Sequence, residues 1–310
     1  MVGTIKISQR RQASVEIPTI VVAVAIYCGF LTVTWYFADL PLIVAAPLTS
    51  LLLAWHSSLQ HETIHGHPTN SRRINALFGW PPLSLWLPYE LYRETHWRHH
   101  RCKGGRLTQP TDDPESHYLS AGSLSGAAPA VRGIFWLNRT FAGRLILGPA
   151  ISVCRLWTNE LERLATLQPG RLWIWVRHVA SVAVVLAWVI GVCHIPLALY
   201  VAAMIYPGAA LGQLRSFAEH RAHTDPRFRT VSVETNWVFR LLFLNNNFHI
   251  AHHAKPSMPW YKLPSAWRKM RGGAIEVGMT VEPGYRSLLS RHFLRPIIAA
   301  EYPAAGAIAL

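Results

Sequence analysis

Four long apolar runs do most to constrain what this 310-residue chain can fold into. The runs occupy residues 17–37, 42–59, 173–192 and 196–214. An α-helix of about 20 apolar residues crosses the hydrocarbon core of a bilayer, and each run has close to that length. Only a few residues, around Asp39 and His194, separate the runs within each pair. We therefore predict an all-α integral membrane protein with four transmembrane helices, arranged as two antiparallel pairs.

The composition agrees with a membrane protein. Hydrophobic residues make up 51% of the chain and charged residues only 15%, a balance that is unusual for a soluble enzyme. The net charge of +14 favours anionic lipid headgroups, and not nucleic acid, as the partner of the surface. The four cysteines are scattered without a Cys-x-x-Cys pair. Their spacing argues against a disulfide framework or a rubredoxin-like iron site and favours a reducing compartment.

The distribution of Lys and Arg predicts the orientation of the four helices. Neither short connection contains a Lys or Arg, whereas 13 lie between residues 60 and 171 and 13 more follow residue 214. Three more precede the first run, namely Lys6, Arg10 and Arg11. Segments rich in Lys and Arg stay on the cytoplasmic side. We therefore expect a single domain, residues 1–310, with both termini and residues 60–172 and 215–310 in the cytoplasm.

Residues 60–172 contain no further uninterrupted run of membrane length. Residues 78–91 are apolar but carry three prolines, which predicts a short interfacial or re-entrant segment, and residues 107–120 predict a loop. From residue 130 to 167, apolar residues alternate with arginines, a pattern typical of amphipathic helices in the headgroup plane. We expect a break at Gly148-Pro149. A basic helix packed on the protein itself is an equal alternative.

Three histidine runs carry the chemistry of the sequence. They are His61-x3-His65, His96-x2-His99-His100 and His249-x2-His252-His253. Residues three and four apart share one face of an α-helix, so each run can direct two or three nitrogens at one place. Imidazole suits iron, zinc and copper, and eight donors exceed the four that a single zinc takes. The runs therefore predict a site for two metals.

Several functions remain open on the residues alone. His61-Glu62-x2-His65 matches the zinc-metalloprotease signature, but a protease leaves the other two runs unused. Haem would need single histidines in facing spans, and a metal transporter would need ionisable groups at the bilayer midplane, where only His56 and His178 could lie. A non-catalytic metal-binding membrane protein is a further alternative. A pair of redox-active irons that activates dioxygen against a C–H bond accounts for all eight donors.

The three runs resemble the histidine boxes of the membrane-bound fatty acid desaturase superfamily, which also contains alkane hydroxylases and carotenoid ketolases. Box spacing, box order and the position of the boxes after apolar pairs match across residues 40–265. The segments Asn245-Asn246-Asn247-Phe248-His249 and Pro256-Ser257-Met258-Pro259-Trp260-Tyr261 are similar to bacterial members in particular. The resemblance implies four spans under a cytoplasmic helical cap, two non-haem irons, O2 as co-substrate and externally supplied electrons.

The resemblance also implies a ligand set. Family members carry a further ligand histidine just after the last span, and His220 matches that position. The implied metal ligands are His61, His65, His96, His99, His100, His220, His249, His252 and His253. No catalytic residue is implied beyond these ligands.

Groups near the boxes are candidates for supporting roles, because a ligating imidazole needs an acceptor for its other N–H. The candidates are Glu62, Glu94, Glu219, Asn246 and Asn247. The two asparagines could bind iron through water, or could cap a turn or a helix. His67 and His223 lie near boxes and could substitute as ligands. His56 is predicted to line the substrate cavity. Histidines predicted to be structural or on the surface are His117, His178, His194 and His292.

Electrons are expected from a separate protein. The sequence contains no Gly-x-Gly-x-x-Gly dinucleotide motif and no Cys-rich electron carrier, so the donor would be of ferredoxin, rubredoxin or cytochrome b5 type, with its reductase. A group of basic residues could dock such an acidic donor or could simply follow the charge bias of cytoplasmic segments. They are Lys255, Lys262, Arg268, Lys269 and Arg271.

The expected function is fatty acyl desaturation, by a multi-pass protein of the bacterial inner membrane with its metal site in the cytoplasm. The substrate would be lipid-like or small and hydrophobic. The boxes are common to enzymes that form an alkene and to enzymes that insert one oxygen. A hydroxylase or an oxidative O-demethylase of the same superfamily, similar to the hydrocarbon-oxygenase-like proteins of rhizopine breakdown, is therefore the main alternative.

Overall fold

The computed structural model describes residues 15–303 of the chain. Over that range the protein is predominantly helical. Four helices among the described residues are long and apolar enough to cross a membrane, which confirms the prediction of an all-α membrane protein with four spans. The basic residues predicted to precede the first span, Lys6, Arg10 and Arg11, lie outside the described residues.

The first membrane pair consists of helices α1, Ile17–Trp35, and α2, Leu42–Ile64. Helix α2 extends beyond residue 59, the end predicted from its apolar run. It continues because the polar residues of its last turn, including His61 and Glu62, are buried by the rest of the protein. The first histidine box therefore lies on the final turn of a membrane helix, with His65 as the C-cap residue.

Four helices lie between the two membrane pairs. They are α3, Arg72–Gly79; α4, Tyr89–Arg101; α5, Pro129–Leu137; and α6, Phe141–Ala165. The proline-rich residues 80–88 connect α3 to α4 without a helix, and their interfacial or re-entrant placement stays a prediction. Residues 107–120 also contain no helix, so the predicted loop is confirmed. Helix α4 carries the second histidine box.

The predicted break at Gly148-Pro149 is wrong, because α6 runs through both residues. The chain breaks before it instead, at residues 138–140, where the Thr140 hydroxyl caps α6 by accepting from the N–H of Gly143 at 3.0 Å. Gly148 lies where α6 meets the last membrane helix, and a Cβ there would stand 2.3 Å from Oε1 of Gln213. Packing against α8 at Gly148 thus accompanies a continuous α6, and placement of its exposed apolar face in the headgroup plane stays a prediction.

The second membrane pair consists of α7, Arg171–Val192, and α8, Leu197–Ser216, each with a π-helical segment. Helix α8 runs in the same direction as α2 and approaches it closely. The Ser50 hydroxyl donates to the carbonyl of Ala203 at 3.3 Å, and a Cβ on Gly208 would stand 2.8 Å from the carbonyl oxygen of Ser50. The C-terminal ends of α2 and α8 consequently lie at the same end of the helix bundle.

The rest of the described chain packs against that end. It contains helices α9, Trp237–Leu242; α10, His249–Ala254; α11, Leu263–Glu276; and α12, Tyr285–His292, and the short parallel strands β1, Ser232–Val233, and β2, Val281–Glu282. The Ser58 hydroxyl donates to the carbonyl of Leu242 at 2.7 Å, which ties α2 to α9. Helix α10 carries the third histidine box and therefore joins the first two at one end of the membrane helices.

The close approach of α2 and α8 predicts that Gly208→Ala destabilises the protein, because backbone must move to make room for the Cβ. We expect a loss of about 1–3 kcal/mol, the usual cost of overpacking, measured as a lower thermal unfolding midpoint in detergent. Gly191→Ala is the matched control in a membrane helix, since nothing lies within 4 Å of a Cβ at that position. Equal stability of the two variants would contradict the packing described.

Candidate metal centre

All nine histidines of the predicted ligand set converge in the structure, and they form two groups. Within each group, one ring nitrogen of every residue lies within 4.8 Å of the others. The first group is His61, His65, His96, His100 and His252. The second group is His99, His220, His249 and His253. The two groups are adjacent, since the ring centroids of His100 and His253 are 4.5 Å apart.

Helical periodicity explains how the second and third boxes divide between the groups. In the second box, His96 and His100 are four residues apart on α4 and share a face, so both belong to the first group, whereas His99 belongs to the second. The third box on α10 divides in the opposite sense. His249 and His253 share a face and belong to the second group, whereas His252 belongs to the first.

The remaining donors come from the ends of the two parallel membrane helices. His61 and His65, four residues apart at the end of α2, both join the first group. His220 follows α8 and joins the second. Its position is set by backbone pairing with a later segment, since the carbonyl of Glu219 accepts from the N–H of Val231 at 2.8 Å.

The ring nitrogens are spaced as ligands of a metal would be. In the first group, Nε2 of His96 lies 2.9 Å from Nε2 of His65 and 3.1 Å from Nε2 of His100. In the second, Nε2 of His249 lies 3.0 Å from Nε2 of His220 and 3.1 Å from Nε2 of His253. Metal–nitrogen bonds of about 2.1 Å place neighbouring ligands of one ion roughly 3 Å apart. Both groups therefore fit a metal ion.

Carboxylates hold two rings of the second box in the orientation that metal binding needs. Nδ1 of His96 donates to Oε1 of Glu115, and Nδ1 of His99 donates to Oδ1 of Asp113, each at 2.9 Å. A carboxylate that accepts from Nδ1 leaves the lone pair of Nε2 free for a metal. Asp113 is itself fixed, because it also accepts from the backbone N–H of Thr108 at 3.0 Å.

Three of the predicted supporting residues lie at the centre. Nδ1 of His249 is 3.3 Å from Oδ1 of Asn246 and 3.4 Å from Oε1 of Glu219. Oε1 of Glu62 is 3.8 Å from Nδ1 of His61, which is beyond hydrogen-bond distance. The other oxygen of Glu62 accepts from the backbone N–H of Trp260 at 3.1 Å.

The supporting role predicted for Glu94 is corrected by the structure, whereas Asn247 follows its predicted alternative of stabilising a turn. Glu94 contacts no box histidine, and its carboxylate instead pairs with Arg163 at 3.1 Å and with Arg171 at 3.0 Å. It precedes His96 by two residues, about 200° around the helix, and therefore points the other way. Asn247 donates from Nδ2 to the carbonyl of Val233 at 2.8 Å and so stabilises the turn before the third box.

The sequence analysis missed Asp113 and Glu115, which accept from the second box. Their signal was the acidic segment Asp112-Asp113-Pro114-Glu115 shortly after that box. It was assigned only as a loop, because no periodicity indicates how a loop folds back on the helix before it. Only 1% of Asp113 is exposed, so it is a buried carboxylate and not one solvated at the surface.

The other histidines lie outside both groups. His67 interacts through Nδ1 with Glu16 at 2.8 Å, and His223 accepts at Nδ1 from the backbone N–H of Asp225 at 3.0 Å. His56 is buried and lies 3.1 Å from the Tyr27 hydroxyl. These contacts give His67 and His223 local partners away from the candidate metal positions.

The environment keeps most of the converging rings uncharged. Burial, together with the charge of the nearby His99, lowers the pKa of His220 to about 3. Burial and repulsion from neighbouring imidazoles hold the pKa of His252 and His253 well below its usual range. Burial also lowers the pKa of His99, but Glu115 and Asp113 outweigh burial and raise it overall. Imidazole must be neutral to donate a lone pair to a metal, so the low values suit a ligand role.

Comparison with known proteins agrees with this geometry. No curated protein matches the chain. The family model described as fatty acid desaturase matches residues 34–284, a range that contains all three histidine boxes and His220. That match covers well over half of the chain, and the chain therefore belongs to the fatty acid desaturase family.

Proposed function

We propose that this protein is an O2-dependent, non-haem di-iron oxidoreductase that acts on an unactivated C–H bond of a lipid-like substrate, as a fatty acyl desaturase. The observation that carries the proposal is the convergence of nine imidazoles into two adjacent groups beside four membrane helices. Family membership supports the same chemistry.

The donor sets favour two irons over one zinc. A catalytic zinc takes three protein ligands and a water, whereas the chain offers five imidazoles in one group and four in the other. A zinc protease would also need Glu62 as its general base, but that carboxylate accepts from the backbone N–H of Trp260. Iron bound by these rings would supply the electron-transfer chemistry with O2 that redox-inert zinc lacks.

The residues of the chain contribute orientation and exclusion of water. Asp113 and Glu115 hold the rings of His99 and His96 with Nε2 directed inward. Six of the nine histidines are buried and the other three are partly buried, and His61, His99 and His252 are each only 1% exposed. Exclusion of water strengthens electrostatic interactions and suppresses side reactions.

An apolar layer next to the first box supports a lipid-like substrate. Leu59, two residues before His61, packs with Ile26 of α1 and Leu244 in one buried cluster. An acyl chain that enters from the bilayer would meet apolar side chains up to the metal centre. The polar pair of His56 and Tyr27 lies in the same region, in keeping with the proposal that His56 lines the substrate cavity.

We further propose that a separate ferredoxin, rubredoxin or cytochrome b5-type donor, acidic and served by a reductase, docks where α4 and α10 end. The stacked rings of His100 and His253 are only partly buried there. Arg101 ends α4, Lys103 follows α4 and Lys255 follows α10, and all three are exposed. With the bias of Lys and Arg toward this end, we assign the centre and both termini to the cytoplasmic side of a bacterial inner membrane.

The metal assignment predicts about two irons per chain in the purified protein, as the two donor groups require. His252→Ala removes one donor of the first group and is expected to lower iron content and activity while membrane insertion stays intact. His292→Ala, outside both groups, is the control and should retain both. Iron analysis and membrane fractionation measure these outcomes, and a single zinc in place of iron would contradict the proposal.

The reaction is tested by mass spectrometry of lipids from a host that expresses the protein with a donor and its reductase. Desaturation consumes O2, two electrons and two protons, removes two hydrogens from the acyl chain and releases two waters. We therefore expect products two hydrogens lighter than the substrate, absent for the His252→Ala variant. A gain of one oxygen would instead assign a hydroxylase, and loss of a methyl group from oxygen a demethylase.

A further inference from the structure

A buried polar junction lies behind the metal centre, where the loop of residues 107–120 meets α6 and the end of α8. At its middle is His117, whose Nε2 lies 2.9 Å from the carbonyl oxygen of Ser216. A guanidinium nitrogen of Arg144 lies 2.8 Å from Nδ1 of the same ring. One imidazole therefore joins three separate segments of the chain.

The chemistry of the two partners fixes the state of the His117 ring. A backbone carbonyl can only accept, so Nε2 of His117 carries the hydrogen and donates it to Ser216. A guanidinium can only donate, so Nδ1 of His117 must accept from Arg144. The ring is consequently neutral and present as one tautomer. Burial, with the charges of Arg144 and Arg139, holds the pKa of His117 well below its usual range, which agrees with this assignment.

Two more guanidinium groups hold the backbone at the same place. Arg139 donates to the carbonyl of His117, and Arg155 donates to the carbonyl of Ser116 at 2.7 Å. Arg139 is 5% exposed and Arg144 is 6% exposed, and within residues 15–303 no carboxylate forms a salt bridge with either. A buried guanidinium without a carboxylate is costly, so these arginines are held in place by the loop and by the ring of His117.

The junction is linked by short stretches of chain to both groups of candidate ligands. Glu115, two residues before His117, accepts from His96 of the first group. Asp113, four residues before it, accepts from His99 of the second group. On the other side of the junction, Ser216 is followed after four residues by His220 of the second group. A shift of His117 relative to Ser216 would therefore disturb both groups together.

We propose that His117 is a positioning residue for both metal sites, acting through its hydrogen bonds to Ser216 and Arg144. This inference rests on the proposed function, since it takes the two histidine groups as iron ligands. It assigns a role to a histidine outside the boxes that the sequence analysis predicted to be only structural or on the surface.

The test compares two substitutions at residue 117 in the full chain. His117→Phe keeps an aromatic ring but removes both hydrogen bonds. His117→Gln keeps one N–H that can donate to Ser216 and one carbonyl that can accept from Arg144. For both variants we would measure iron content, the affinity for added Fe²⁺ and the Mössbauer spectrum of protein loaded with ⁵⁷Fe. Thermal unfolding of the metal-free protein is measured for both as well.

The matched control is His178→Phe. His178 is also a buried imidazole whose Nε2 lies 2.8 Å from a backbone carbonyl, that of Leu85, but it belongs to neither group of ligands. We expect His117→Phe to weaken Fe²⁺ binding roughly ten- to a hundredfold, as loss of outer-shell support does, and to change the spectra of both irons. His117→Gln should recover most of the affinity, and His178→Phe should bind iron like the unchanged protein.

The inference is overturned if His117→Phe retains the iron affinity and spectrum of the unchanged protein. It is also overturned if His117→Phe and His178→Phe lower the stability of the metal-free protein equally and lose iron to the same extent. In that case the lower stability alone would explain the loss of iron. Either result would leave the proposed function standing, provided that the unchanged protein holds two irons. Absence of iron from the unchanged protein would instead contradict the proposed function itself.

Discussion

The close approach of imidazole nitrogens in two buried groups is the constraint on which the rest of this structure depends. Nε2 atoms about 3 Å apart, as in the contact of His96 with His65, direct lone pairs at one another once Nδ1 carries the hydrogen. Such an arrangement is unfavourable in a site without a cation, because buried lone pairs with no donor lose the hydrogen bonds that water would give them. The surrounding protein must therefore hold each ring in place, and a bound cation turns that cost into binding free energy.

The membrane helices help to hold these rings in place, in addition to providing apolar surface. Helices α2 and α8 run in the same direction and touch at Gly208, so their C-terminal ends stay together and deliver His61 and His220 to adjacent groups. The hydrogen bond from Ser58 to the carbonyl of Leu242 fixes α9 against α2, shortly before the third box begins. A site built on helices is more precise than one built on loops, and the acidic loop and the segment that carries His220 depart from that plan.

The features that could be predicted from the sequence are those that depend on residues close together in the chain. The four spans depend on the length of the apolar runs, and the histidine boxes depend on spacing within a helix. Both features can be read directly from the sequence. The acceptors Asp113 and Glu115 were missed because the path of a loop depends on distant partners such as Arg155. Glu94 was misassigned because closeness in sequence to His96 was taken for closeness in space. The break at Gly148-Pro149 was predicted from local propensity, which packing against α8 overrides.

The division of the second and third boxes between the two groups has a consequence for how the centre can form. Helix α4 gives two rings to the first group and one to the second, and α10 does the reverse. Any rotation or shift of α4 or α10 therefore changes both groups at once, whereas His61 and His65 affect only the first group and His220 only the second. His99 and His100 are neighbours on α4 but belong to different groups. The backbone of α4 therefore also helps to set the distance between the two groups. Helical periodicity thus sets which rings of α4 and α10 join each group, and the side chains of Glu115 and Asp113 fix the orientation of two of those rings.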